Sequence, residues 1–390
     1  MSMLSHRKIA EALGMPASTV TNILNGTPRY KQETKDRVLQ AAKELGYRPN
    51  RASLTLKRGR SNLIGIINFA TMYQVGQQRV SLLRKAVNEH GYDYLAIDVD
   101  WHDGKVERVL DEIIQARVEG VVLLGHTTES FGPESLALMK RVGIPVVAMN
   151  GDDDINAPSI ATDALPGFYS LVRHLHQVGH KSIIMPVIAC TKRSMLERID
   201  GFQLAMKNTG DCLTLGEREY LKIWPKILKD YKNKPVGIII PMEGRPNQLF
   251  SQNDLTEHHY DFGKALFQSG ALPDAMMCTN DAAAFGVFNA AHEMGIRIPL
   301  DLALTGADDD EYGKYPMFCL TSLRMDMFNI SEEAVNTLVN RLKTGKFKES
   351  RQHFDSNLVL RKSCGRKIKQ GEPATLLVPA KLPKLAANSK

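Results

Sequence analysis

The stretch KIAEALGMPASTVTNILNG, residues 8–26, decides how the N-terminal part of this chain is read. Ile9, Ala10 and Leu13 recur at helical spacing, and so do Val20, Ile23 and Leu24 after the break at Gly14. A third stripe, Val38, Ala41, Ala42 and Leu45, follows Gly26-Thr27-Pro28 and stops at Gly46, with Pro49 close behind. Residues 5–46 therefore predict three short helices. The second has two unlike faces: Val20, Ile23 and Leu24 point inward, and Ala17, Ser18, Thr21, Asn22 and Asn25 make a small, polar outer surface. A helix-turn-helix has this form, its second helix entering the major groove and meeting base edges with its early residues. A helical bundle that binds protein fits the same pattern, and pattern alone leaves both open.

Charge is distributed unevenly around that head. Residues 1–60 hold 12 Lys/Arg against 4 Asp/Glu, and residues 361–390 hold 8 against 1. The whole chain is only +7, so residues 61–360 are net acidic. A basic head on an acidic body suits a polyanionic partner, although an ordinary bias of solvated charge reads the same way. Arg29, Lys31, Lys35 and Arg37 are placed to meet phosphates, which position a head without reading sequence.

Working outward, the pattern changes at residue 62. Short apolar runs alternate with amphipathic stretches: LIGII (63–67), YLAIDV (94–99), GVVLL (120–124), IPVVA (144–148), KSIIM (181–185), VGIII (236–240), AMMC (275–278) and LALT (302–305). The helical stretches between them include 77–90, 104–117, 133–142, 166–178, 194–209, 257–269 and 281–294. Such alternation predicts parallel sheets covered on both faces. Eight strands exceed one comfortable sheet, so two lobes are expected, split near residue 162. The last residues, GEPATLLVPAKLPKLAANSK, are rich in Pro and Lys and predict a loosely ordered basic tail without a leucine heptad. The length of 390 residues and 43% apolar content suit two or three domains with a sizeable core.

Several classes are disfavoured. No GxGxxG, Gx4GK[ST], HExxH or GxSxG occurs, so an enzyme is not expected. The five cysteines stand singly, which suggests neither a disulfide framework nor a metal site and fits a reducing compartment. The start lacks an apolar core of the secretory kind, and no run of about 18 apolar residues exists. A cytoplasmic protein without cofactor, metal or membrane partner is expected. His174, His176 and His180, like His258-His259, read best as surface or satisfied histidines. Asp308-Asp309-Asp310 follows a strand and a glycine, and reads as a loop carrying a ligand contact rather than a metal.

In doubly wound sheets, ligands bind at the carboxyl ends of the strands. Asn150, Asn280, Asp281 and Asp308 stand there, suiting a hydroxyl-rich ligand held in a cleft between lobes. A plain helix N-cap accounts well for Asp281 and in part for Asn280.

Residues 4–65 closely resemble the head and hinge of the lactose/galactose repressor (LacI/GalR) family. The resemblance lies in KIAEALGMPASTVTNILNG, ETKDRVLQAAKELGYRPN (33–50) and LKRGRSNLIGII (56–67), and runs more loosely to about residue 363. It implies an α/β fold: a small all-α head (1–49), a hinge (50–61) and a two-lobed periplasmic-binding-protein-like domain (62–363), followed by the tail (364–390). Lobe 1 would take about 62–162 and 327–352, and lobe 2 about 163–323 and 354–363. The resemblance further implies a homodimer on palindromic double-stranded DNA, controlled by a small polar effector, a sugar or related metabolite.

Carried onto this sequence, Ala17, Ser18 and Asn22 would contact bases. The family often has arginine, which suits guanine, where Asn22 stands; asparagine suits adenine. Pro16 and Lys31 replace more usual capping residues, with Gln32 or Thr34 as substitutes for the second. Asn25, Arg29, Lys31, Lys35, Asn50, Arg51 and Lys57 would meet phosphates. Leu56 would be the apolar wedge in the minor groove, with Leu54 as competitor. Arg198, Asn280 and Asp308 would bind effector, together with Asn150 and Met327. Two segments depart from the family: NFATMYQVGQQ after the first body strand, and a long 211–256 region whose Trp224 or Phe250 would line the pocket or simply pack the insert. A two-lobed small-molecule carrier without a DNA role is the runner-up.

Overall fold

The head is held together by the apolar stripes of three helices, α1 (His6–Leu13), α2 (Ala17–Leu24) and α3 (Gln32–Glu44). Ile9, Ala10, Val20, Ile23, Val38 and Ala42 are buried, with Leu13, Leu24, Ala41, Tyr30 and Tyr47 packed against them. Leu45, expected in the third stripe, is instead exposed just past the end of α3. Pro16 precedes α2, and its carbonyl accepts the amides of Thr19 and Val20, so its missing N–H costs nothing there. Lys31 caps α3 without a side-chain hydrogen bond. Gln32 does not replace it, since its amide donates one turn on to Asp36 at 2.8 Å.

The computed structural model describes residues 6–24, 27, 29–47, 60–69, 74–99, 106–125, 130–151, 156–188, 193–231, 234–242, 252–347, 351–367 and 372–382. Asn25, Asn50, Arg51, Leu54, Leu56, Lys57 and Phe250 lie outside them, and with these most of the expected hinge. The chain divides into two compact units, Met1–Leu63 and Ile64–Lys390.

The second unit starts with β1 (Leu63–Asn68), α4 (Gln74–Glu89), β2 (Asp93–Asp98), α5 (Val106–Gln115), β3 (Gly120–Leu124), α6 (Pro133–Arg141), β4 (Val146–Met149) and β5 (Ser159–Thr162). The chain then crosses to α7 (Leu165–Val178), β6 (Ser182–Ile188), α8 (Arg193–Lys207), β7 (Asp211–Thr214), α9 (Glu217–Asp230), β8 (Val236–Met242), α10 (Gln252–Gln268), β9 (Ala275–Met277), α11 (Asp281–Glu293), β10 (Ala303–Ala307) and β11 (Thr321–Met325). It returns through α12 (Met327–Thr344) and β12 (Arg351–Phe354), and crosses once more to β13 (Ser356–Leu360) and β14 (Leu376–Pro379).

Two sheets result. The first has the order β12-β5-β4-β3-β1-β2, and the second β14-β13-β11-β10-β9-β6-β8-β7. Parallel pairing dominates both, but β13 is antiparallel to β11 and to β14. Three crossovers thus join the lobes, after Thr162, Met325 and Phe354. The last falls at Asp355, because the strand over 351–354 pairs with β5 rather than ending at 352.

Each lobe is sealed by its own helices. In lobe 1, α12 packs Ile330, Ala334, Val335 and Leu338 against Ile64, Val122 and Val147 of the sheet. In lobe 2, Phe168 and Phe202 cover one face of the sheet, and Tyr220, Trp224 and Phe262 cover the other. Trp224 therefore packs the 211–256 region into the core, and its indole N–H donates to the Ala271 carbonyl at 3.0 Å.

The C-terminal segment departs from the loose tail expected. Leu376–Pro379 forms an edge strand on β13, Ala380 is buried, and Ser170 of α7 exchanges hydrogen bonds with the backbone of Lys381. An edge strand tolerates Pro379, because only one side of its backbone needs partners.

Candidate functional site

On α2, Ala17 and Ser18 are exposed and Asn22, one turn on, is half-buried. Thr21, expected on the same outer face, is instead tied to His6 Nδ1 at 3.0 Å. The Asn22 amide donates to the Tyr30 hydroxyl at 3.2 Å, and Arg29 Nη2 donates to the same oxygen at 2.9 Å. These two bonds, Asn22 first, hold the Tyr30 phenol below its ordinary pKa. Asn22 keeps its Oδ1 and a second amide hydrogen free of Tyr30, the donor–acceptor pair a base edge needs. Arg29 and Lys31 are exposed and Lys35 is half-buried. Tyr30 was not among the sequence expectations, and its only signal was an aromatic residue between Arg29 and Lys31.

In the body, a cleft is lined from both lobes. Lobe 1 supplies Arg79, Asn150, Thr162 and His353; lobe 2 supplies Arg193, Ser194, Glu197 and Arg198 from the start of α8. Arg198 is only 9% exposed. Its Nη1 donates to the Thr279 carbonyl, its Nε has no partner, and its guanidinium lies 5.6 Å from the centre of the Phe168 ring. Arg79 is almost as deeply set, also with an unpartnered Nε, and meets Asp308 across the lobes at 3.5 Å. Glu197 accepts from Arg193 at 2.8 Å and from the Ala164 amide at 3.2 Å, so that acid is already committed.

Of the expected effector set, Asn150 and Arg198 line this cleft and Asp308 joins it through Arg79. Asn150 also accepts from the Thr162 amide at 3.0 Å and touches Met327 Sδ at 3.3 Å; Met325 lines the cleft, whereas Met327 contacts Asn150. Asn280 is spent elsewhere: its Oδ1 caps α11 by accepting from the Ala283 amide at 2.8 Å. The capping role weighed for Asp281 thus belongs to its neighbour. Arg79, Arg193, Glu197 and His353 were not anticipated, because charged residues on helices and edge strands read as solvated faces.

Behind the cleft stands a knot of buried acids. Asp281 is fully buried; it accepts from Ser322 Oγ and from the Asp310 amide, both at 2.7 Å. Gly306 makes room for it, since a Cβ there would lie 2.2 Å from Asp281 Oδ1. Burial raises the Asp281 pKa well above the usual carboxylate value, and raises Asp310, with help from Asp308, to about 7. Asp309 takes Arg361 at 2.6 Å and Arg324 at 2.7 Å. Asp308 and Asp309 both have positive φ, 107° and 54°, so this turn holds two non-glycine residues in a disfavoured region. The Asp triple is thus mostly a structural latch, with Asp308 as its cleft-facing member.

The histidines have ordinary work. His176 pairs with the His180 carbonyl and Thr209; His174 and His180 reach Cys364 Sγ and its carbonyl. Burial lowers His174 and His259 to about 4. Among the described residues no group of three His, Cys, Asp or Glu side chains is placed to hold a metal, and no helix is long and apolar enough to cross a membrane.

A three-helix DNA-reading head followed by two lobes around a polar cleft defines a class: transcription regulators built on a binding-protein fold. Comparison with known families places it further. Residues 7–50 match the model of bacterial regulatory proteins of the lacI family. Residues 77–217 match that of periplasmic binding proteins and the sugar binding domain of the LacI family, and residues 232–364 that of the periplasmic binding protein-like domain. The chain belongs to the LacI/GalR family of DNA-binding transcription regulators, which are not enzymes. It is 25% identical over 365 residues to the HTH-type transcriptional repressor PurR of Haemophilus influenzae (strain ATCC 51907 / DSM 11121 / KW20 / Rd), covering 93% of this chain and 98% of that one. PurR of Pasteurella multocida (strain Pm70) is 24% identical over 368 residues, covering 94% of this chain and 100% of that one. Among solved structures, the lac repressor dimer bound to operator and the anti-inducer ONPF superposes with a TM-score of 0.71 at 19% identity, covering 93% of this chain and 99% of that one. A complex of the regulator CelR with cellobiose gives 0.58 at 18% identity, covering 92% and 99%.

Proposed function

We propose that this chain represses transcription in the cytoplasm as a homodimer whose grip on a palindromic operator is set by a small polar effector, a sugar or related metabolite, bound between the lobes. Ala17, Ser18 and Asn22 read bases. Arg29, Lys31 and Lys35 hold phosphates, joined by Asn25, Asn50, Arg51 and Lys57, with Leu56 wedged in the minor groove. Asn150, Arg198 and Asp308 hold the effector, with Asn280 and Met327 supporting them from the cap and from behind Asn150.

The observation that carries this reading is the origin of the cleft lining. Polar side chains from both lobes face one space. A ligand held by both lobes favours one lobe arrangement over another by its differential affinity, which is what coupling to DNA requires. The relatives support the rest: the two PurR proteins and the lac repressor named above are repressors, and solved neighbours hold an operator, cellobiose or, in a LacI-family regulator from Enterococcus faecium, ribose. Lobe 2 also offers a surface for self-association. Tyr312, Tyr315 and Met317 are exposed, and Tyr312 meets Phe285 edge to face, which in turn meets Phe318.

Selection of binding sites from random duplexes tests the reading. Two symmetric half-sites a helical turn or so apart are expected, and their occupancy should change with one member of a panel of sugars, polyols, nucleosides and amino acids. An asymmetric site, or no effect of any ligand that stabilises the body, would overturn it.

A further inference from the structure

The cleft carries more positive charge than its acids answer. Three arginines line it, Arg79, Arg193 and Arg198, with His353 beside them. Arg193 is matched by Glu197 and Arg79 by Asp308. Arg198 is buried with one backbone carbonyl as its hydrogen-bond acceptor and no carboxylate in reach among the described residues. The acids behind the cleft are largely engaged elsewhere: burial raises Asp281 well above the usual carboxylate value and Asp310 to about 7, and Asp309 is held by Arg324 and Arg361; Asp308 and Asp310 act on Arg79. Arg198 is also one of the charges acting on Arg79, so the two guanidinium groups repel one another across the lobes. Both leave a buried Nε–H without an acceptor. A buried cation without a counter-charge is costly, and its cost falls when an anion arrives.

We infer that the effector is an anion, a small polyol or sugar-like molecule bearing a carboxylate or phosphate group, and that Arg79 and Arg198 clamp that group from opposite lobes. The inference rests on the reading of this cleft as the effector site and adds the chemical class of its ligand. A guanidinium presents parallel N–H donors that match two oxygens of a carboxylate or phosphate. The Arg79–Asp308 contact is long for an ion pair, so Arg79 can turn toward a better anion while Asp308 takes a ligand hydroxyl. Bridging the two arginines replaces repulsion between the lobes with attraction through a shared anion. Arg79 is then the residue that sets ligand class, and Arg198 the common anchor.

The test uses the full chain. Thermal stability is followed against inorganic phosphate at constant ionic strength, then against matched sets: glucose, gluconate and glucose 6-phosphate; glycerol, glycerate and glycerol 3-phosphate. The expected result is stabilisation by phosphate, stronger stabilisation by an anionic member of one set, and little from its neutral parent. Gluconate against glucose 6-phosphate separates carboxylate from phosphate. Arg79→Gln should weaken the anion by on the order of tenfold or more, read against the unliganded stability of the same variant, since the change removes the repulsion from Arg198 and the partner of Asp308 together. No stabilisation by any anion, stabilisation that survives Arg79→Gln, or equal stabilisation by a neutral parent would overturn the inference. A neutral ligand whose binding is lost in Arg198→Gln would leave the cleft as effector site and defeat only the anionic class. Anion binding untouched by both variants would defeat the site itself.

Discussion

The head and the body handle charge in opposite ways. In the head, Arg29 and Lys31 stand in water on the surface, and among the described residues there no charged side chain is buried. In the body, Arg198, Arg361, Asp281 and Asp310 are buried, and Arg79 and Asp309 nearly so. Solvated charge costs little to maintain and acts at a distance, so it suits a uniform polyanion such as the DNA backbone, and salt weakens it. Buried charge must be matched atom by atom, so it suits a shape or a single ligand. One chain thus uses electrostatics for reach at one end and for discrimination at the other.

The comparison breaks most visibly if the buried acids prove dispensable. Asp309 neutralises Arg361, whose side chain is only 5% exposed, and also holds Arg324. Removing one partner of a buried pair typically costs about 3–5 kcal/mol. Asp309→Ala should therefore lower the unfolding free energy of the body by that order, read as a lower urea midpoint at unchanged slope, whereas charge removal at Lys31 should leave stability within about 0.5 kcal/mol. Equal midpoints for the two variants would show that burial does not separate the regions.

A smaller effect comes from pH. The Asp310 carboxyl is raised to about 7 by burial, with Asp308 and Asp309 adding and Arg79 and Lys314 opposing. A carboxyl raised on folding stabilises while protonated, fully below its unfolded value near 4 and progressively less as pH rises through 7. Each tenfold gain in proton affinity on folding is worth about 1.4 kcal/mol. Between pH 4 and pH 7.5 Asp310 should pull body stability down while the lowered His174 and His259 pull it up, so Asp310→Asn should make stability rise more steeply with pH than in the parent. Asp281, raised in the same direction, keeps its share. Denaturation curves at both pH values, with an unchanged slope in the variant, would remove Asp310 from the account.

How much of this was legible follows the same division. The head's stripes were readable because exposed helices alternate faces at a fixed period, and six of the expected positions are buried. The eight apolar runs all became strands: seven are buried and read as continuous apolar sequence, whereas the edge strand β2 is only partly buried and was readable from its own apolar run. Among the described residues six strands were missed. DCLT at 211–214 and RQHF at 351–354 on sheet edges and SIAT at 159–162 inside the first sheet carry too little apolar pattern. TSLRM at 321–325 and SNLVL at 356–360 form an antiparallel pair of the second sheet, and LLVP at 376–379 lies in the expected tail. α9 was hidden by Pro225 within it. In the cleft, Asn150 was visible as a polar residue at a strand end, and Arg198 through the family resemblance. Arg79 was not, because an arginine on a helix reads as solvent-facing until a second lobe closes over it.

On the DNA side the expected effects are smaller again. Replacing Asn22 with Arg should move preference at one symmetric pair of positions from A·T toward G·C, by about 1–3 kcal/mol per good contact. Identical selected sites for both proteins would exclude Asn22 from base reading.

The smallest effect tests whether the head also uses a matched contact. Tyr30 accepts from both Asn22 and Arg29, so its hydroxyl fixes the amide that we propose meets a base. Tyr30→Phe keeps the ring and the Arg29 stacking on it but removes that acceptor. Water replaces it easily at a half-exposed site, so head stability should barely change. Operator affinity should fall by about 0.5–1.5 kcal/mol, the net worth of one such bond, because the amide must now be ordered on binding. Non-specific affinity and the salt slope should stay constant, since no charge is lost; Lys35→Ala, by contrast, should reduce the slope by about 0.9 and affect all sequences alike. The cycle closes with Asn22→Ala: in that background Tyr30→Phe should have no further effect on operator binding. If Tyr30→Phe weakens specific and non-specific binding in parallel, or acts equally without Asn22, the hydroxyl does not position the base reader, and the head works by solvated charge and shape alone.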